Sequence, residues 1–262
     1  MEIGRQDEYA WFESAFYTLT GIDLSRYKRQ QMERRLTTLR DKRGFATFAD
    51  YLSACRSDPA LLAELLDRMT INVSEFFRNR VRWDMLRSEL WPEIARPGRS
   101  VRAWSAACST GQEPYTLAFL LASRLPLDEF SILATDIDES ALTVARQGAY
   151  PATDLASIPD EMRGPLLEVR DGRGQVAPAL RARIEFRRHN LLADPFARDF
   201  DVIVCRNVLI YFTDDAKEQV YRKFATALRP GGILFVGSTE QIFHAETYGL
   251  VQRQPFFYQR LQ

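Results

Sequence analysis

The chain has 262 residues, 46% hydrophobic and 27% charged, with 35 basic residues balancing 35 acidic ones. This is the composition of an ordinary globular protein with a sizeable core, and zero net charge gives no global field toward nucleic acid or membrane. No apolar run approaches the ~18 residues of a membrane span, and the N-terminal MEIGRQDEYAWFES lacks the apolar core of a signal peptide. Cys55, Cys108 and Cys205 are odd in number and far apart. They argue against a disulfide framework or a structural zinc site, and the expected compartment is the reducing cytoplasm.

Helical periodicity runs through residues 1–96. Apolar residues recur at three and four spacing over 11–19, 45–54 and 61–69, and no segment alternates with period two. Between Leu24 and Arg43 stand eight basic residues against two acidic ones, a net +6 that leaves −6 for the rest. This segment reads as a helix: Met32, Leu36 and Leu39 form an apolar stripe, and Gly44 supplies a stop. Lys28, Arg35 and Lys42, seven apart, share one flank of it. The flank is either a solvated face or a docking surface for an acidic helix. Ala95-Arg96-Pro97-Gly98 reads as a linker, which divides the chain into a helical domain, 1–96, and a second domain, 97–262.

The second domain alternates strands and helices. Short apolar runs at 101–107, 130–135, 200–205 and 233–237 are separated by helical patterns at 115–125, after Asp138, and at 214–228. That order implies an α/β domain whose parallel sheet is covered on both faces. Residues 160–188 break the alternation with short extended stretches around an Asp171-Gly172 turn, and read as a small inserted antiparallel β subdomain.

Ligands of open α/β sheets bind beyond the carboxyl ends of the strands. The first strand leads into Ala106-Ala107-Cys108-Ser109-Thr110-Gly111-Gln112-Glu113-Pro114, small residues that let backbone approach a ligand or simply pack tightly. The loop is neither a GxGxxG nor a P-loop. Asp136 closes the second strand, where a carboxylate accepts the hydroxyls of a ribose; its alternative role, a helix cap, suits Asp138 better. The third strand opens into Arg206-Asn207-Val208-Leu209-Ile210-Tyr211-Phe212. Tyr211 is either a core aromatic or lines a reaction centre. Cys205, at the end of an apolar strand, reads as a small core residue. His189 and His244 lack partners at metal-ligand spacing, and no GxSxG elbow is present, so neither a metal site nor a Ser/His/Asp hydrolase is expected.

Taken in order, six motifs resemble the CheR-type chemoreceptor methyltransferases over nearly the whole chain. They are Thr70–Arg78 (TINVSEFFR), Trp104–Thr116 (WSAACSTGQEPYT), Ala134–Asp138 (ATDID), Asn190-Leu191-Leu192 with Cys205–Phe212 (CRNVLIYF), and Leu228–Gly232 (LRPGG). The resemblance implies a Rossmann-like S-adenosylmethionine methyltransferase sheet behind an all-helical N-terminal domain that docks receptors and completes the cofactor site. It assigns Asn72, Ser74 and Arg78 to the amino-acid end of the cofactor, Glu113 to its ammonium, Asp136 to the ribose, and Asn190 with Leu191 to the adenine. Arg206 and Asn207 would border the sulfonium, and Tyr211 would face methyl transfer, with Arg206 and Tyr211 as the candidate catalytic pair. A carboxylate facing Arg78 makes physical sense as a bidentate contact. Two positions depart from the family pattern, Ser74 for Thr and Gln112 for Glu; the second leaves Glu113 as the single acid there. The β subdomain clamps a receptor C-terminal peptide in some members, whereas here it reads Leu166-Leu167-Glu168-Val169-Arg170, with little aromatic character.

The implied reaction passes a methyl from S-adenosylmethionine to glutamate side chains of chemoreceptors, leaving glutamate methyl esters and S-adenosylhomocysteine, for sensory adaptation. A glutamate with an unperturbed pKa of about 4.3 is ionised near neutrality and needs no general base. The enzyme is expected to be a monomer without a metal, and Lys28, Arg35 and Lys42 are the expected contacts to the receptor's methylation helices. A nucleic-acid methyltransferase fits less well, because aromatic-basic interleaving and an Asn/Asp-Pro-Pro-Tyr signature are absent. A catalytically idle cofactor-binding module stays open at this level.

Overall fold

A computed structural model of the chain describes residues 5–95 and 98–261. Of the predicted linker, Arg96 and Pro97 therefore lie outside the described residues, as do the first four residues of the N-terminal stretch. The chain forms two compact units: Met1–Ile71 with Ile210–Gln219, and Asn72–Leu209 with Val220–Gln262.

The first unit is helical. Its helices are α1 (Arg5–Thr20), α2 (Arg29–Lys42), α3 (Phe48–Ser57) and α4 (Pro59–Met69). Sequence sets their starts: Thr47 caps α3 by accepting the Asp50 N–H, and Asp58 caps α4 just ahead of Pro59 at its first position. The stripe of Met32, Leu36 and Leu39 is buried as the spacing predicts, together with Phe12, Phe16, Phe48 and Leu65. The basic segment is not one helix. Asp23 accepts the Ser25 N–H at 3.0 Å and opens a 3₁₀ turn, Leu24–Arg26, so that Lys28 becomes the N-cap of α2. Residues 210–219 complete this unit: the Lys28 N–H donates to the Tyr211 carbonyl (2.8 Å), the Thr213 N–H donates to the Arg26 carbonyl (2.9 Å), and Tyr27 stands edge-on to Phe212.

Among the described residues, the second unit holds ten strands: β1 (Val101–Ala106), β2 (Phe130–Asp136), β3 (Ala149–Pro151), β4 (Leu167–Arg170), β5 (Arg173–Val176), β6 (Ile184–Arg188), β7 (Phe200–Cys205), β8 (Leu228–Val236), β9 (Leu250–Gln254) and β10 (Phe257–Arg260). Seven make a mixed sheet in the order β6-β2-β1-β7-β8-β10-β9, parallel from β6 to β8 and antiparallel thereafter. Every residue of β7 is buried, the mark of a central strand covered on both faces. The α/β architecture and its four principal strands are therefore those the sequence predicts. Among the described residues, no helix is long and apolar enough to cross a membrane.

Three features differ from the sequence reading. The helical texture does extend to Ile94, but Trp83, Leu86, Leu90 and Trp91 bury in one core with Val101, Phe119 and Phe235. The units consequently part at Ile71 and not after residue 96, since periodicity reports the type of an element and not the core it joins. The stretch 182–187 does not belong to the inserted subdomain: β6 pairs in parallel with β2, from Ile132↔Ile184 to Asp136↔Arg188, and the small sheet is β3-β5-β4. Glu185, Arg187 and Arg188 give β6 the charged look of an edge strand, which disguises it. Finally, Arg229-Pro230-Gly231-Gly232 lies inside β8, where a register shift against β7 makes room for Pro230.

Candidate active site

The carboxyl ends of β1, β2, β6 and β7 carry the candidate residues. Beyond β1 the backbone turns through left-handed conformations at Ala107 (φ 65°), Ser109 (φ 49°) and Gly111 (φ 99°). Glycine is required at 111 for space as well: a Cβ there would lie 2.7 Å from the Tyr150 hydroxyl and 2.8 Å from Ala145 Cβ. Tyr150 pins the loop by donating its hydroxyl to the Thr110 carbonyl at 2.7 Å. Helix Gln112–Ala122 starts immediately after, with Glu113 in its first turn.

Asp136 is buried, and burial pushes its carboxyl upward. Its Oδ2 accepts the Ser109 N–H (2.7 Å) and its Oδ1 the Asp138 N–H (3.0 Å). Asp138 is the predicted cap of helix Glu139–Gln147, its Oδ1 accepting the N–H groups of Ser140 and Ala141. The other Asp138 oxygen accepts from Asn72 Nδ2 at 2.7 Å, and the Ser109 hydroxyl donates to Asn72 Oδ1 at 3.0 Å. Asn72, Ser109, Asp136 and Asp138 thus form one network. The chain leaving β6 passes beside it, because the His189 N–H donates to the Asp136 carbonyl (2.8 Å). Asn190 and buried Leu191 follow directly, with Asn190 Oδ1 accepting the Leu192 N–H (2.9 Å).

At the end of β7 the Arg206 guanidinium is buried, stacked over Trp83 and Phe235 at 5.4 and 4.8 Å. One nitrogen donates to the Arg78 carbonyl (2.8 Å) and another stands 4.0 Å from the Glu113 carboxylate. Burial raises Glu113 to about 7, partly countered by Arg206 and by the Ser105 hydroxyl that donates to it at 2.8 Å. Arg78 donates to the Val73 carbonyl (3.2 Å), and half-buried Ser74 lies in the same irregular segment. Asn207 stands at φ 62°.

Asn72, Ser74, Arg78, Glu113, Asp136, Asn190, Leu191, Arg206 and Asn207 therefore all belong to the sheet unit. Tyr211 does not: it lies in the helical unit with Lys28, Arg35 and Lys42. Lys28 and Lys42 are exposed, but Arg35 is half-buried, donating to the Met69 carbonyl (2.9 Å) with its guanidinium 5.3 Å from the centre of the Tyr211 ring. Heptad spacing put Arg35 on the same flank as the lysines but carried no sign that its head group serves the fold. Cys108 and Cys205 are buried with thiols pushed far up, which suits core residues. Sequence reasoning passed over Glu240 altogether, a buried acid in a stretch with no periodicity to mark it. Among the described residues, no group of His, Cys, Asp and Glu is arranged to hold a metal.

An acid closing β2, a second acid in the first turn of the helix after β1, a left-handed loop of small residues and a buried cation at the end of β7 suit a nucleoside bearing an amino-acid tail. The fold and site are those of an S-adenosylmethionine-dependent methyltransferase. The chain belongs to the CheR methyltransferase family: residues 7–70 match its all-alpha domain and residues 72–256 its SAM binding domain. It is 41% identical over 254 residues to the chemotaxis protein methyltransferases of Listeria monocytogenes and Listeria innocua, covering 97% of this chain and 97% of each relative. The Borreliella burgdorferi chemotaxis protein methyltransferase is 32% identical over 251 residues, covering 90% of this chain and 89% of the relative.

Proposed function

We propose that this enzyme methylates glutamate side chains of chemoreceptors, producing methyl esters and S-adenosylhomocysteine, and that it works in the cytoplasm as a monomer. The observation that carries the reading is buried Arg206 at the end of β7, a fixed cation where an anionic acceptor must be held, in a chain that aligns end to end with chemotaxis methyltransferases. Bound S-adenosylmethionine supplies an electrophilic methyl group. The protein's part is to hold, orient and exclude water: Arg78 and Glu113 take the amino-acid end, Asp136 the ribose, Asn190 and Leu191 the adenine, and Asn72 and Ser74 close the tail. An ionised glutamate attacks without prior proton removal, so Arg206 and Tyr211 act by orienting the carboxylate. Tyr211→Phe should lower kcat about tenfold or more while leaving cofactor binding unchanged; steady-state kinetics on receptor fragments decide this, and unchanged turnover removes Tyr211 from the reaction.

Docking rests on the basic segment. With Arg35 engaged inside its own unit, exposed Lys28 and Lys42 carry the steering charge. The double charge reversal Lys28→Glu, Lys42→Glu should reduce kcat/KM for receptor fragments about tenfold, and the wild-type value should fall as salt rises from about 50 to about 300 mM. Equal rates for both proteins at low salt would exclude the surface.

The reaction itself is tested by transferring radiolabelled methyl from S-adenosylmethionine to receptor cytoplasmic fragments and then treating with mild alkali. Label that enters receptor and leaves as volatile methanol marks carboxyl methyl esters. Binding of S-adenosylhomocysteine without transfer would point instead to an idle module.

A further inference from the structure

Glu240 has no part in the roles assigned so far, yet it is one of the best-connected side chains in the sheet unit. It closes the turn after β8, where its N–H donates to the Gly237 carbonyl at 3.0 Å, and only 5% of the residue is exposed. Its Oε2 accepts the N–H groups of Asn207 (2.7 Å) and Gly237 (2.8 Å), and its Oε1 accepts the N–H of Leu209 (2.7 Å). Two of the three donors belong to the loop leaving β7. Between them the chain adopts φ 62° at Asn207, a conformation non-glycine residues avoid unless their surroundings impose it. The Glu240 carboxylate spans this residue, bridging the two strand ends with charge-assisted bonds. Gly237 belongs to the same device: a Cβ there would overlap Glu240 Oε2 and stand 2.9 Å from the Asn207 nitrogen.

We propose that Glu240 is a positioning residue for methyl transfer, its carboxylate bolting the Arg206–Leu209 loop into the shape that holds the cofactor. The inference rests on the reading above that Arg206 and Asn207 border the reacting centre. A carboxylate satisfies three donors with two acceptor oxygens. Glutamine has only one oxygen, so Glu240→Gln turns an NH₂ toward a backbone N–H and leaves at least one buried donor without an acceptor.

The test is calorimetric titration of S-adenosylmethionine and S-adenosylhomocysteine into wild type, Glu240→Gln and Gly237→Ala, with thermal unfolding of each and steady-state kinetics on receptor fragments. Both variants should bind either ligand about tenfold or more weakly, the equivalent of one buried bond. KM for the cofactor should rise by the same factor, while KM for the receptor fragment stays within about twofold of wild type. A merely structural carboxylate would lower the melting temperature and leave these constants alone; folded variants with wild-type affinity overturn the proposal. If neither variant folds, amide exchange in the wild-type protein decides. The Asn207 and Leu209 amides should exchange more slowly once S-adenosylhomocysteine is added, and identical exchange with and without it overturns the proposal equally. A wild-type enzyme that binds cofactor but transfers no methyl defeats the proposed function; an active wild type with unaffected variants defeats only the role of Glu240.

Discussion

Binding of S-adenosylmethionine should strengthen about tenfold per pH unit from about pH 5 toward pH 7 and then level off, and Glu113→Gln should abolish this rise. The cause is the burial of Glu113, which holds its carboxyl at about 7 against the pull of Arg206, Ser105 and Arg78, with Glu240 adding to the rise. Below that value the folded protein carries a neutral acid at Glu113, so on the proposed pairing of Glu113 with the cofactor's ammonium, binding must first expel a proton. Titrations in buffers of different ionisation enthalpy should therefore register proton release near pH 6. The sign for stability is opposite. The unfolded chain releases this proton near 4.5 and the folded one near 7, so the ligand-free enzyme loses stability as pH climbs between those values, by about 3 kcal/mol at most. Denaturant midpoints across the range would show the loss in wild type, and the Glu113 contribution should vanish in Glu113→Gln. A flat binding profile for wild type would mean that Glu113 does not meet the ammonium.

Arg206→Met should be the most damaging single change to the site. The methionine keeps some of the packing against Trp83 and Phe235 but removes the charge facing Glu113 and the donor to the Arg78 carbonyl. Breaking one side of a buried ion pair typically costs about 3–5 kcal/mol. The 4.0 Å separation and the already raised Glu113 place this pair at the lower end, because a neutral Glu113 escapes the unpaired charge. Turnover should fall about a hundredfold or more, as expected on removing a fixed charge from a reacting centre. Arg206→Lys should recover stability better than activity, since an ammonium cannot reproduce the planar stack or its two directed contacts. Equal rescue of both would place Arg206 outside the chemistry.

What the sequence disclosed follows from the physics of each signal. β7 and the helix capped by Asp138 were legible because an uninterrupted apolar run and an N-cap are local. The candidate residues of the site are named through the family resemblance; only Asp136, an acid at a strand end, and the run of small residues after β1 carry a local signal of their own. β6 is legible as an extended stretch but joins the main sheet instead of the insertion, and the β9–β10 pair escapes notice: such strands are short, and nothing within five residues reveals which sheet they join. Glu240 was invisible for a related reason, since its partners Asn207 and Leu209 stand some thirty positions away. Arg35 shows the limit of charge counting, which cannot separate a cation held over Tyr211 from one offered to a partner.

The helical unit is built from two stretches of chain, and its internal bonds include one from Arg26 to Gln219 across 193 residues. On a ribosome adding roughly 5–20 residues per second, that closing segment emerges some ten to forty seconds after its partner. The four amino-terminal helices must wait through synthesis of most of the sheet unit before their last piece arrives. A nascent chain halted at residue 71 should therefore remain easier to cleave by protease than the same helices in the finished protein.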